Sequence, residues 1–226
     1  MDIFDRLNDE VLQDLKKCKK GKLGEQNWTI CKDLTCRAFY FEPNWCTKRE
    51  WREEEGFYKK GIDRRVIFVG ERPGPNNEVL PNDTEIYSCF KVNNANRRVS
   101  VARKLKRFHD VRKKYGLENS YLTNIVKCSK FSGTNKPSVD EINECSKHLI
   151  NEFKIIQPEV FVAVGDFQYK ILGSKKFKFK ALIEAQGGKL HRITHWAFYR
   201  SEKELLDNWD REFKELKGKI SSSPKF

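Results

Sequence analysis

The chain reads as a three-layer α/β/α sandwich on a central, mainly parallel four-stranded sheet. Two observations lead there. Short, continuously apolar runs recur at "RVIFV" (65–69), "YLTNIVK" (121–127), "EVFVAVG" (159–165) and within "KLHRITHW" (189–196). A run that is apolar throughout, rather than at every second residue, belongs to a strand covered on both faces. Segments of helical period lie between these runs, and alternating strand and helix is the pattern of a parallel sheet.

The elements follow in order. Ile3, Leu7, Val11, Leu12 and Leu15 recur at helical spacing and open the chain with an amphipathic helix. Residues 18–60 lose that pattern among cysteines, aromatics, glycine and charge, and a long irregular excursion of this kind needs something to hold it. The first strand then ends at Gly70. Val99, Ala102, Leu105, Phe108 and Val111 predict a helix that stops near Gly116. After the second strand, Ser138 caps a helix, with Glu141 completing a capping box and Ile142, Leu149, Phe153 and Ile156 forming its core face. Pro158 ends it. The third strand leads into a helix from Asp166, and "SEKELLDNWDREFKELK" closes the domain before a tail, 218–226, expected to fray.

Composition bounds the function. A length of 226 residues suits one domain, taken as 1–226, that can bury a core without cross-links. With 38% hydrophobic and 12% aromatic residues the chain is not disordered. A net charge of +13 favours a polyanionic partner, although a lysine-rich solvated surface gives the same total. "MDIFDRLNDEVLQDLKK" is charged throughout and no stretch is long and apolar enough to cross a bilayer, so an intracellular protein (cytoplasm or nucleoid) with no membrane role is expected. Seven cysteines in such a protein point to metal or cluster ligation, or to buried thiols, rather than to a disulfide framework.

In a parallel sheet, ligands sit at the carboxyl ends of the strands. The residues to weigh are therefore Gly70-Glu71-Arg72-Pro73-Gly74, Asn124, Gly165 and His195. "VIFVGERPG" lacks the Walker lysine and the third glycine of a dinucleotide fingerprint, and by itself it is an ordinary turn. Asn124 could cap a turn, or read a base edge with its paired donor and acceptor. His195 could be a satisfied core histidine, or a donor to a developing oxyanion. Cys128 follows the second strand and Cys145 lies on the buried edge of the next helix, while Cys31, Cys36 and Cys46 come from the irregular segment. Thiolates drawn from such distant places suit an iron–sulfur cluster or a structural zinc.

Taken together, "VGERPG", "TNIVKC", "NKPSVDEINECSKHL", "EVFVAVG" and "THW" resemble the uracil-DNA glycosylase superfamily, and most nearly its iron–sulfur, family-four branch. Order and approximate spacing hold from Val66 to Arg200. The resemblance implies a four-iron, four-sulfur cluster on Cys36, Cys46, Cys128 and Cys145, with Cys31 in reserve for the first ligand because Pro43 stands where the family has a cysteine. It implies that Gly70 and Gly74 frame the pocket, that Glu71 orders it and its water, and that Asn124 reads uracil. Phe90, with Tyr87 as competitor, would stack on the flipped base, and His195 would stabilise charge on the uracil O2. The motif histidine is followed by Trp196 and Ala197 instead of proline and serine, and Arg72 replaces a small residue. Trp196, Arg200 and Arg72 are the expected DNA contacts.

The reading that results is a monofunctional DNA glycosylase, acting as a monomer on DNA that carries uracil or another deaminated base, with a structural cluster. Three rivals remain at this stage. One is a noncatalytic nucleic-acid-binding protein of the same fold. Another is a covalent trap for damaged DNA with His191 or His195 as nucleophile. The third is a zinc protein with other chemistry.

Overall fold

A computed structural model describes residues 3–12, 14, 62–72, 107, 108, 110–127, 136–195 and 201–222. The chain opens with α1 (Ile3–Arg6), which widens into a π-helical turn over Leu7–Leu12. Then come β1 (Asp63–Gly70), helical residues 110–114 (α2), β2 (Ser120–Asn124) and α3 (Val139–Ile156). β3 (Val160–Val164), α4 (Asp166–Leu172), α5 (Phe179–Ala185), β4 (Lys189–Ile193) and α6 (Glu202–Lys217) complete the order. All pairings are parallel and the four strands lie in the order β2-β1-β3-β4.

Side chains alternate across the sheet and fill two separate cores. One face packs Ile67 and Val69 of β1, Tyr121 of β2 and Phe161 of β3 against Leu7, Val11, Leu149 and Phe153. The other packs Val66, Phe68, Leu122 and Val162 against Phe108, Trp209 and Phe213. Helices therefore cover both faces, as the unbroken apolar runs require. Phe68 meets Phe108 edge-on at 5.5 Å and stacks on Phe213 at 5.8 Å. Truncating a ring buried this completely costs about 3–5 kcal/mol.

Local signals set the element ends. Ser138 Oγ accepts from the Glu141 N–H, and the Glu141 carboxylate accepts from the Ser138 N–H at 2.7 Å, so the expected capping box is formed. Gln157 takes the left-handed conformation (φ 50°) and Pro158 prevents a further turn. Gly116, with φ 67°, turns the chain after α2. The tail behaves otherwise than expected over 218–222. Ser221 donates from its N–H and its hydroxyl to the Glu159 carboxylate, both at 2.9 Å, so this part is bonded to the start of β3 rather than frayed. α5, a helix of its own after Gly173, has no strong periodic signal in so short a span.

Candidate active site

The parallel sheet puts the carboxyl ends of all four strands on one rim. Register aligns Gly70 with Asn124, Val69 with Ala163, and Val164 with Ile193. Across the rim the order is therefore Asn124, Gly70-Glu71, Gly165 and Thr194-His195. Pairing runs on past β2, because Ile125 and Val126 donate to the carbonyls of Gly70 and Glu71 at 2.9 and 3.0 Å. This fixes the peptide that carries Glu71.

Two glycines permit the close approach. A Cβ on Gly70 would overlap Asn124 Oδ1. Gly165 has φ 118°, and a Cβ there would stand 2.7 Å from Gln168 Oε1 and 3.2 Å from the His195 Cβ. Any other residue at 165 would be both strained and pressed against the chain that presents His195.

Glu71 is half-buried at this rim. Burial raises its carboxyl above the ordinary glutamate range, opposed by the charges of Arg72 and Lys136. The Arg72 guanidinium is committed elsewhere: it donates to Glu141 Oε1 at 3.3 Å and to Oε2 at 3.1 Å, with its side chain 9% exposed. Arg72 thus ties the end of β1 to the first turn of α3 rather than filling the rim. Lys136 lies over the Phe167 ring at 5.7 Å.

Each side chain proposed at the outer ends of the rim follows a tethered threonine. Thr123, before Asn124, donates its hydroxyl to Glu152 Oε2 at 2.8 Å, and Lys127 donates to both Glu152 oxygens at 2.8 and 2.7 Å. Lys127 and Glu152 are fully buried. Burial pushes the lysine down and the glutamate up, while each partner opposes the other's shift. Thr194, before His195, bonds Glu212 through both N–H and hydroxyl, each at 2.7 Å. His191 stands deeper on β4, buried, with Lys219 Nζ at 2.7 Å from Nδ1 and the Glu212 carbonyl at 3.3 Å from Nε2. It lies two residues short of the strand's end, away from the rim.

The structure thus brings Gly70, Glu71, Asn124 and His195 to one edge. Gly74, Phe90, Tyr87, Trp196, Arg200, Cys31, Cys36, Cys46 and Cys128 lie outside the described residues. Among the described residues no three His, Cys, Asp or Glu side chains gather as a metal site. Cys145, the proposed ligand that falls among the described residues, is buried in the core on α3. A buried cysteine is the donor type that such a cluster takes, and the other three proposed ligands lie outside the described residues. Sequence reasoning missed Lys127, Glu152, Trp209 and Glu212. No local signal in the sequence marks the two glutamates, because a glutamate in an amphipathic helix usually faces water.

A family model described as the uracil DNA glycosylase superfamily matches residues 57–220, well over half the chain. The chain belongs to the uracil DNA glycosylase superfamily. Within this superfamily of DNA glycosylases it is similar to a type-4 uracil-DNA glycosylase of Archaeoglobus fulgidus, with 23% identity over 156 residues, 67% of this chain and 70% of the relative. It is also similar to a type-5 uracil-DNA glycosylase of Pyrobaculum aerophilum, with 31% identity over 81 residues, 33% of this chain and 35% of the relative. The superfamily match begins before β1 and ends beyond α6, so it contains the whole rim. No helix among the described residues is long and apolar enough to cross a membrane.

Proposed function

We propose that this DNA glycosylase removes uracil, or a related deaminated base, as a monofunctional hydrolase that leaves an abasic site. The observation that carries the reading is the rim itself: a carboxamide, a desolvated carboxyl and an imidazole at the ends of β2, β1 and β4 along one edge of the sheet. Three inter-strand spacings separate Asn124 from His195, about 14 Å between backbones, which leaves a gap for a base once both side chains reach inward.

In this reading the target nucleotide leaves the stack and enters between them. The Asn124 carboxamide donates to one atom of the base edge and accepts from another. The C1′–N1 bond then breaks with its electron pair going to the base, so the sugar becomes cationic and the base anionic. His195 stabilises the charge gathering on O2, and Glu71 orients water toward C1′. The water oxygen bonds to C1′ and its proton passes to the Glu71 carboxylate, whose raised proton affinity suits an acceptor. Phe90 stacks on the base, while Trp196 and Arg200 face the DNA. Arg72 acts as a brace, since a phosphate contact would require it to leave Glu141.

Cys36, Cys46, Cys128 and Cys145 would hold a four-iron, four-sulfur cluster, which supplies a structural cross-link between the irregular segment and α3. The reading of a noncatalytic binder loses one of its supports, because Arg72 is drawn to Glu141 instead of standing free in the rim. The trapping reading loses His191, which is buried and bonded. Treating uracil-containing duplex with the protein and then with alkali tests the chemistry. Strand breaks only after alkali are expected. Breaks without alkali, or a protein–DNA band that survives denaturant, contradict a monofunctional glycosylase.

A further inference from the structure

We infer that Glu212 is a positioning residue for His195, acting through Thr194. Every hydrogen-bonding group of Thr194 is taken up by α6. Its N–H donates to Glu212 Oε2 and its hydroxyl to Oε1, both at 2.7 Å, and its carbonyl accepts from Trp209 Nε1 at 2.8 Å. Residues 209 and 212 are three apart and so share one face of the helix. Trp209 is fully buried and Glu212 is 7% exposed.

A buried carboxylate is costly unless its bonds are made, and an apolar pair would join β4 to α6 at less cost. What the carboxylate adds is direction. Two bonds to one residue fix both the plane of its peptide and its side-chain rotamer, and the indole fixes the next carbonyl. The chain leaving Thr194 therefore starts His195 in a single orientation. On the other side Gly165 leaves room for the His195 Cβ and little more. The same device recurs on the opposite face of the sheet, where buried Glu152 of α3 holds Thr123 immediately before Asn124. Two unrelated helices thus each spend a buried glutamate on the threonine that precedes a rim residue.

This inference rests on the proposed use of His195. Its test is a cycle of Glu212→Gln and His195→Ala, read as single-turnover base release and as binding to abasic-site DNA, with Thr194→Val as the milder variant. Glutamine keeps the size but replaces one carboxylate oxygen with a donor, so the charge-assisted bond to the Thr194 hydroxyl is lost or reversed. Release by Glu212→Gln is expected to fall about tenfold to a hundredfold, the scale of a misplaced catalytic group. Binding to abasic DNA should stay within about twofold of wild type, since positioning acts on the transition state. Thr194→Val should fall between. In the His195→Ala background the change at Glu212 should be silent. Equal losses in both backgrounds, or losses that follow melting temperature alone, overturn the inference while leaving His195 in its role. Full release by His195→Ala instead removes that role, and the inference with it. Slow hydrogen exchange at the Thr194 amide, lost in Glu212→Leu, which removes both acceptors, reports the clamp independently of activity. Unchanged exchange overturns it.

Discussion

Gly70 lies in register with Asn124 across the β1–β2 pair, and a side chain on Gly70 would occupy the space of the Asn124 carboxamide oxygen. Backbone pairing and side-chain placement are thereby locked together at the rim. Gly70→Ala is expected to turn the carboxamide away and to lower base release at least about tenfold. The fold should lose only about 1–3 kcal/mol, the usual cost of one added methyl in a packed place. Single-turnover release and thermal unfolding check the two parts. A wild-type rate would mean that the carboxamide does not read the base in this pose.

Glu71 gives a pH-dependent stability. Its carboxyl is raised in the folded state, chiefly by burial. A group raised in this way favours folding below its unfolded pKa, and the benefit is lost as pH rises through the folded value. Glu71→Gln should therefore melt at or above the wild type near about pH 7, with the difference closing toward about pH 3, where the carboxyl is protonated in both the folded and the unfolded chain. Base release should fall in the same variant. A melting temperature below wild type at neutral pH would show that the carboxylate is stabilised by its neighbours, contrary to this account.

The Lys127–Glu152 pair, fully buried and closed at 2.7 Å, separates single from double substitution. Glu152→Leu alone leaves an uncompensated ammonium and should cost about 3–5 kcal/mol. That is a large part of the roughly 5–15 kcal/mol that holds a domain of this size. Glu152→Leu with Lys127→Met should recover most of the loss. Denaturant midpoints of the three proteins measure it. A double variant no better than the single would mean that the pair contributes more than mutual neutralisation.

Much of this was legible in the chain. Four apolar runs announced four parallel strands, and Ser138 with Glu141 announced the start of α3, because these signals are local and periodic. Asn124, Glu71 and His195 could be named since the ends of parallel strands share a rim. The ties that orient them could not. Glu152 is 29 residues from Thr123, Glu212 is 18 from Thr194, and Glu141 is 69 from Arg72. Pairs this distant leave no period, and a glutamate inside an amphipathic helix looks the same whether it faces water or a threonine. Arg72 looks like a DNA contact in the sequence because its partner lies on another element. The π-helical turn at Leu7–Leu12 keeps nearly helical spacing, so the sequence does not distinguish it from an α-helix.

The cysteines predict a composition. Protein purified without air should contain iron and acid-labile sulfide, about four of each per chain. Cys145→Ser should lose most of the iron and lower the melting temperature, since the proposed cluster would lose one of its four ligands. Metal analysis of both proteins decides. A colourless wild-type protein with one bound zinc would contradict the cluster.

Uracil release from a labelled duplex and from the corresponding single strand, by the wild type beside Asn124→Ala and His195→Ala, tests the rim most directly. Release by the wild type, with both variants reduced at least about a hundredfold while still folded and still binding DNA, is the expected result. A wild type that binds the duplex tightly but frees no uracil, or variants that release it at the wild-type rate, would contradict the assignment of this edge of the sheet as the active site for uracil.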